Sequence, residues 1–170
     1  MKRLLVMRHA KSDWGGDAPD HERPLNERGR ASARVMGKVL SRMGQVPQFV
    51  YSSTALRARS TVELASRAGH WSTDIELVED LYGSSPGAVL DVVAGAPRAI
   101  RFLMIVGHQP TWGDLVEELT GARVQVKTAA VIGVDLAIMD WDKVRSGRAE
   151  LAYVLQPRLF LEGTWDDLTR

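Results

Sequence analysis

Leu4-Leu5-Val6-Met7 is an unbroken apolar run, and Arg8-His9 follows it directly. Four apolar residues without alternation suit a strand buried on both faces of a parallel sheet. The charged pair then falls at the carboxyl end of that strand, where open α/β sheets bind their ligands. The same pattern returns twice. Phe49-Val50-Tyr51 runs into Ser52 to Arg57, and Phe102 to Val106 runs into Gly107-His108.

Helical signals fill the intervals. Asn26 is placed to cap a helix starting at Glu27, and Ala31, Val35, Met36, Val39, Leu40 and Met43 recur at helical spacing up to Gly44. Ser53 or Thr54 is placed to cap a second helix carrying Ala58, Thr61, Val62, Ala65 and Ala68 to Gly69. Ile75 to Val78 reads as a further strand. Ser85-Pro86 reads as the cap and first residue of a third helix, closed by Gly95. Thr111 is placed to cap a fourth, through Trp112, Leu115, Val116 and Leu119 to Gly121. Val131 to Ile138 and Leu151 to Leu155, separated by a turn-rich segment with Ser146-Gly147, read as a terminal antiparallel pair. This alternation predicts an α/β fold: a mostly parallel sheet with helices on both faces and an antiparallel pair at its end.

Composition bounds the rest. The chain has 170 residues, 45% of them hydrophobic, enough for one substantial core and read as one domain over residues 1–170. Basic and acidic residues number 22 and 21, and no long basic run marks a nucleic-acid surface. There is no cysteine, which excludes disulfides, thiolate-bound zinc and a cysteine nucleophile. The apolar start ends after four residues, too short for a signal peptide or a membrane span. A cytoplasmic, monomeric protein is the default expectation.

Arg8, His9, Arg57 and His108 therefore converge from three strand ends. Arginine offers a permanently charged planar fork of donors, and histidine can serve as nucleophile, acid or cation, so together they describe a site for a dianion. Arg57 also falls in the first turn of its helix, where free N–H groups favour an anion. The blander alternatives are a surface Arg-His loop, His108 as a helix cap, and Arg57 paired with Glu63. His21 and His70 lie in polar, turn-like contexts and receive no role. No nucleotide-phosphate loop, G-x-S-x-G elbow or dinucleotide-binding glycine turn is present. Arginine and lysine beside the two histidines oppose a metal cation.

Arg8-His9-Ala10, then Arg57 within Ser53-Thr54-Ala55-Leu56-Arg57-Ala58, then Gly107-His108 resemble the signatures of the histidine phosphatase superfamily. Within it the chain is most similar to the small SixA-like phosphohistidine phosphatases. The likeness extends to Lys11-Ser12-Asp13-Trp14, Arg23-Pro24-Leu25-Asn26, Leu81-Tyr82 and Gln156-Pro157-Arg158, and so covers nearly the whole chain. It implies a three-layer α/β/α sandwich and a cofactor-independent, metal-independent hydrolase. His9 would be the residue transiently phosphorylated, with Arg8, Arg57 and His108 completing the phosphate pocket and Arg23, Lys11 and Tyr82 contacting substrate. The implied substrate is a phosphorylated signalling or phosphotransfer protein. Small phosphomonoesters, or phosphate recognition without turnover, are the alternatives. Ala10 replaces the usual glycine, and Thr54 the common proline. Larger relatives carry a general-acid carboxylate where this chain has Leu81-Tyr82, which leaves Asp13, Glu79 and Asp80 as candidates.

Overall fold

In the computed structural model, which describes residues 1–161, the first run is strand β1 (Lys2–Arg8). The chain continues through α1 (Glu27–Arg42), β2 (Phe49–Ser53), α2 (Leu56–Gly69), β3 (Asp74–Val78) and α3 (Pro86–Ala94). It closes with β4 (Phe102–Gly107), α4 (Thr111–Thr120), β5 (Val131–Leu136), β6 (Ala149–Leu155) and α5 (Arg158–Leu161). Six strands form one sheet in the order β3-β2-β4-β1-β5-β6. β1 to β4 are mutually parallel, whereas β5 runs antiparallel to both β1 and β6. The expected mixed sheet is therefore present, with its antiparallel pair at one edge.

Alternation along β1 and β4 separates two cores. Leu4, Val6, Leu103 and Ile105 face one side, where Val89 and Leu90 of α3 and Trp112 and Leu115 of α4 cover them. Leu5, Met7, Met104 and Val106 face the other, beneath Met36 and Leu40 of α1 and Val62 of α2. Leu4 to Met7 are wholly buried, which accounts for the lack of polar alternation in the run. Each such side chain contributes about 1.5–3 kcal/mol on leaving water. The result is three layers, α/β/α. Among the described residues no helix is long and apolar enough to cross a membrane.

Two caps form as expected. Asn26 accepts from the Gly29 N–H at 2.8 Å, and Ser85 accepts from Ala88 N–H at 3.3 Å ahead of Pro86. Two others differ. Ala55, not Ser53 or Thr54, occupies the cap of α2; no side chain caps the helix N–H groups, and of the backbone N–H groups there Ser53 Oγ accepts only from that of Ala55, at 3.3 Å. Pro110, not Thr111, precedes α4, while the Thr111 hydroxyl donates to Ser84 O at 2.6 Å. The physical reason at α2 is competition: Ser53 Oγ bonds His108 and Thr54 Oγ1 bonds His21.

The chain leaves β1, crosses to β2 and returns through β4 to lie between them, so β2, β4 and β1 are adjacent. Arg8 pairs in register with Gly107. The three strand ends singled out in the sequence are thus neighbours at the point where ligands bind in such sheets.

Candidate active site

His9 follows β1 directly, and its backbone N–H donates to Gly107 O at 2.9 Å. That bond ties it to the strand that ends in His108, and the two imidazole centroids are 5.1 Å apart. Gly107 is required by packing, because a Cβ there would lie 2.6 Å from the Trp112 ring. Trp112 in turn donates to Met7 O at 2.8 Å, locking α4 beneath the site.

The His9 Nδ1 lies 2.7 Å from its neighbour's carbonyl, Ala10 O. A carbonyl only accepts, so the proton belongs on Nδ1 and Nε2 keeps its lone pair. Burial pushes the ring's pKa down to about 3, with His108, Arg57 and Arg8 adding to the fall and the Ala10 bond opposing it. At neutral pH the ring is therefore uncharged, with Nε2 unprotonated. The sequence places it at a solvent-accessible strand end, whereas only 8% of it is exposed. The loop before β5 is tied to its backbone, where Ala129 N–H donates to His9 O at 3.2 Å.

Arg8 donates from Nη1 to Val126 O at 2.9 Å, and Arg57 donates through its two terminal nitrogens to the backbone and carboxylate of Asp20. The Nε atoms of both arginines are buried with no partner in the protein. Unpaired buried donors are costly, and a charged pair of them beside one cavity marks a place for an anion. The cavity, about 630 Å³, is lined by Arg8, His9, Arg57 and His108, and also by Lys11, Arg23 and Tyr82. All seven residues singled out from the sequence border it. The Arg57–Glu63 pairing does not form, since Glu63 pairs with Arg59 at 3.1 Å.

His108 Nε2 sits 2.8 Å from Ser53 Oγ, fixed by the hydroxyl that ends β2. Burial first, then Arg57, lowers its pKa to about 4. The ring is neutral until a bound anion offsets the arginine field.

Asp20 is the residue that sequence reasoning misses. Its carboxylate accepts from Arg57 Nη2 at 3.0 Å, Arg23 Nε at 3.1 Å and the Tyr82 hydroxyl at 2.8 Å. Those partners, Tyr82 foremost, hold its pKa at about 2. Its one sequence signal is the spacing of three to Arg23. His21, given no role, also reaches the rim, with its ring edge-on to Tyr82 at 4.9 Å. Among the described residues Asp20 is the one carboxylate lining the cavity, and Asp13, Glu79 and Asp80 do not line it. Among the same residues no cluster of three His, Cys, Asp or Glu side chains is arranged to hold a metal ion.

Residues 4–113 match the model of the histidine phosphatase superfamily (branch 1), and the chain belongs to that superfamily of phosphatases. An uncharacterized chloroplastic protein of Arabidopsis thaliana is 29% identical over 137 residues, 75% of this chain and 63% of its own. The chain thus spans less than two thirds of that relative. An uncharacterized protein of Mycobacterium tuberculosis is 32% identical over 136 residues, 79% of this chain and 77% of its own. Among solved structures, the SixA-type protein of Agrobacterium tumefaciens, a proposed phosphohistidine phosphatase, has a TM-score of 0.79 at 26% identity. That match covers 92% of this chain and 98% of the other. The protein histidine phosphatase SixA complexed with tungstate shares the fold, with a TM-score of 0.80 at 23% identity over 93% and 99% of the two chains.

The lowered histidine pKa values make stability depend on pH. Both rings are neutral when folded but gain protons below about 6.5 when unfolded, so stability is full above that pH and falls as pH drops toward 4 and 3. Urea denaturation at pH 5 against pH 7 should show a loss on the order of 1–2 kcal/mol per histidine. The double variant His9→Asn/His108→Asn should lose most of this dependence. A wild-type midpoint unchanged between the two values would contradict the buried, neutral pair.

Proposed function

We propose that this chain is a protein-histidine phosphatase that works through a phosphohistidine intermediate on His9. The observation that carries the proposal is the pairing of a neutral His9, whose Nδ1 is engaged by Ala10 O, with two arginines whose Nε–H groups are buried and unpartnered. In the first step His9 Nε2 forms a bond to phosphorus as the P–N bond to the substrate imidazole breaks, and that ring, already carrying a proton on its other nitrogen, leaves as neutral imidazole. Arg8, Arg57 and His108 hold the equatorial oxygens, and the arriving dianion raises the proton affinity of His108. Water then attacks phospho-His9, releasing phosphate and regenerating the free ring.

Asp20 positions Arg57 and Arg23 in this scheme. Being ionised and engaged by three donors, it is a poor source of a proton for the leaving group. Substrates whose leaving group departs without a proton are therefore favoured. Arg23 and Lys11 add positive charge at the mouth, and Tyr82 borders it. A protein substrate also suits the rim, where Trp14 is 77% exposed and lies 3.5 Å from the Arg23 guanidinium. The likeness to SixA structures agrees with this reading. The test is turnover of a phosphohistidine protein against aryl and alkyl phosphates, with phosphohistidine expected to lead.

Arg8→Ala and Arg57→Ala should each weaken inhibition by vanadate about 10- to 100-fold, the worth of a hydrogen bond to a charged group, and lower turnover at least as much. Circular dichroism on the same samples checks the fold. Chelators should have no effect. Activity lost to EDTA and restored by a divalent metal would assign the arginines' role to a metal instead.

A further inference from the structure

Beside the phosphate pocket lies a second cavity of about 240 Å³, which shares Lys11 and Thr128 with it. Four cations line it: Lys11 after β1, Arg28 in the first turn of α1, Lys127 before β5 and Arg158 in α5. Among the described residues no carboxylate does. Elsewhere on the surface cations meet acids, as in Arg59–Glu63, Arg145–Asp91 and Arg148–Glu150. These four have no acidic partner among the described residues. In a chain whose net charge is +1, such a concentration is a local feature rather than a consequence of composition.

The groove is also fixed relative to His9. Asn26 N–H donates to Lys11 O at 3.0 Å, and a Cβ at Gly29 would fall 2.0 Å from that same oxygen. The start of α1, and Arg28 with it, is thus pressed onto the backbone of the residue that bridges the two cavities. On the other side Ala129 N–H is shared between Arg8 O at 3.1 Å and His9 O at 3.2 Å, which anchors the turn carrying Lys127 and Thr128.

We infer that this groove is a second anion subsite that takes carboxylates of an acidic segment next to the phosphohistidine of the protein substrate. The inference rests on the phosphoprotein reading above and adds to it what the substrate surface must carry. A phosphoryl group seated against His9 and a carboxylate among Arg28, Lys127 and Arg158 would both border Lys11, so one cation serves both. Exposed charges act chiefly through encounter and through KM, and are screened by salt. Small phosphorylated compounds that fill only the first cavity gain nothing from it.

The experiment uses the full chain and the double variant Arg28→Glu/Arg158→Glu, two residues outside the phosphate pocket. Three substrates are compared, a phosphohistidine protein, a small phosphoramidate and an aryl phosphate, together with the Kd of a fluorescently labelled, unphosphorylated oligoglutamate peptide read by anisotropy. The variant should keep kcat/KM for both small substrates within about twofold, since they do not enter the groove. Its KM for the phosphoprotein and its Kd for the peptide should both rise by about tenfold or more, and raising the salt should erase that difference. An unchanged peptide Kd, or an equal loss on the small substrates, would overturn the subsite. If the wild type leaves the phosphohistidine protein untouched, the function proposed above fails, and the peptide Kd still decides whether the groove binds carboxylates. Neutralising three acids of this chain, Glu162→Gln, Asp166→Asn and Asp167→Asn, should leave the peptide Kd unchanged. A tenfold tightening would make the segment that carries them the occupant and overturn the proposal.

Discussion

His9→Ala is expected to reduce turnover to below about 1% of the wild type on every substrate, because losing a covalent nucleophile forfeits several kcal/mol of transition-state stabilisation. The arginines and His108 would still bind phosphate, so affinity for vanadate should fall much less than kcat. The ring is only 8% exposed, yet it belongs to neither apolar cluster. Its removal leaves Ala10 O without the imidazole partner, a local loss on the order of 1 kcal/mol that should not unfold the chain. Circular dichroism and phosphate release measured on one sample separate the two effects. Residual activity well above that level, in a folded variant, would remove His9 from the role of nucleophile.

The second large effect is expected among substrates. An alkoxide is the conjugate base of an acid with a pKa near that of water, about 16, whereas imidazolium has a pKa of about 6.5. The first needs a proton delivered as the bond breaks, whereas a phosphohistidine ring protonated on its other nitrogen brings its own and leaves as neutral imidazole. General-acid assistance is worth about 10²–10⁴-fold, and the one carboxylate among the described residues that lines the cavity is held ionised by Tyr82, Arg57 and Arg23. Values of kcat/KM should therefore descend from phosphohistidine protein to aryl phosphate to alkyl phosphate, with the first and last separated by at least that range. A sugar phosphate turned over as fast as phosphohistidine would mean that an acid operates in the pocket. A small-molecule phosphatase would then replace the protein-histidine phosphatase proposed for this site.

Much of this site is legible in the sequence because strand ends are. A short apolar run has one carboxyl end, and in an alternating α/β chain those ends gather at one edge of the sheet. Arg8, His9, Arg57 and His108 follow from that rule, and they lie at or just beyond the ends of adjacent β1, β4 and β2, Arg57 in the first turn of α2. What escapes the rule is what loops contribute. Asp20 lies in a short turn without periodicity, and its meaning appears only when the chain folds it against Arg57, 37 residues away. The turn before β5, which supplies Val126 O to Arg8 and Thr128 to the cavity wall, carries no motif either. The caps of α2 and α4 depart from the local pattern for a related reason. A serine or threonine near a helix start satisfies that pattern, but Ser53, Thr54 and Thr111 engage their hydroxyls with distant partners. Protonation is only partly legible: the arginines beside His9 already favour a neutral ring, but the larger cause at both His9 and His108 is burial, which residue order does not show.

The covalent intermediate is the claim from which the others follow, and it can be observed directly. Wild-type protein mixed with an aryl phosphate and quenched with alkali during turnover should carry one phosphoryl group, stable to base and lost in acid, on the peptide containing His9. His9→Ala treated in the same way should carry none. Turnover with the phosphoryl group on another residue, or with no phosphorylated enzyme under conditions that preserve phosphohistidine, would contradict the account.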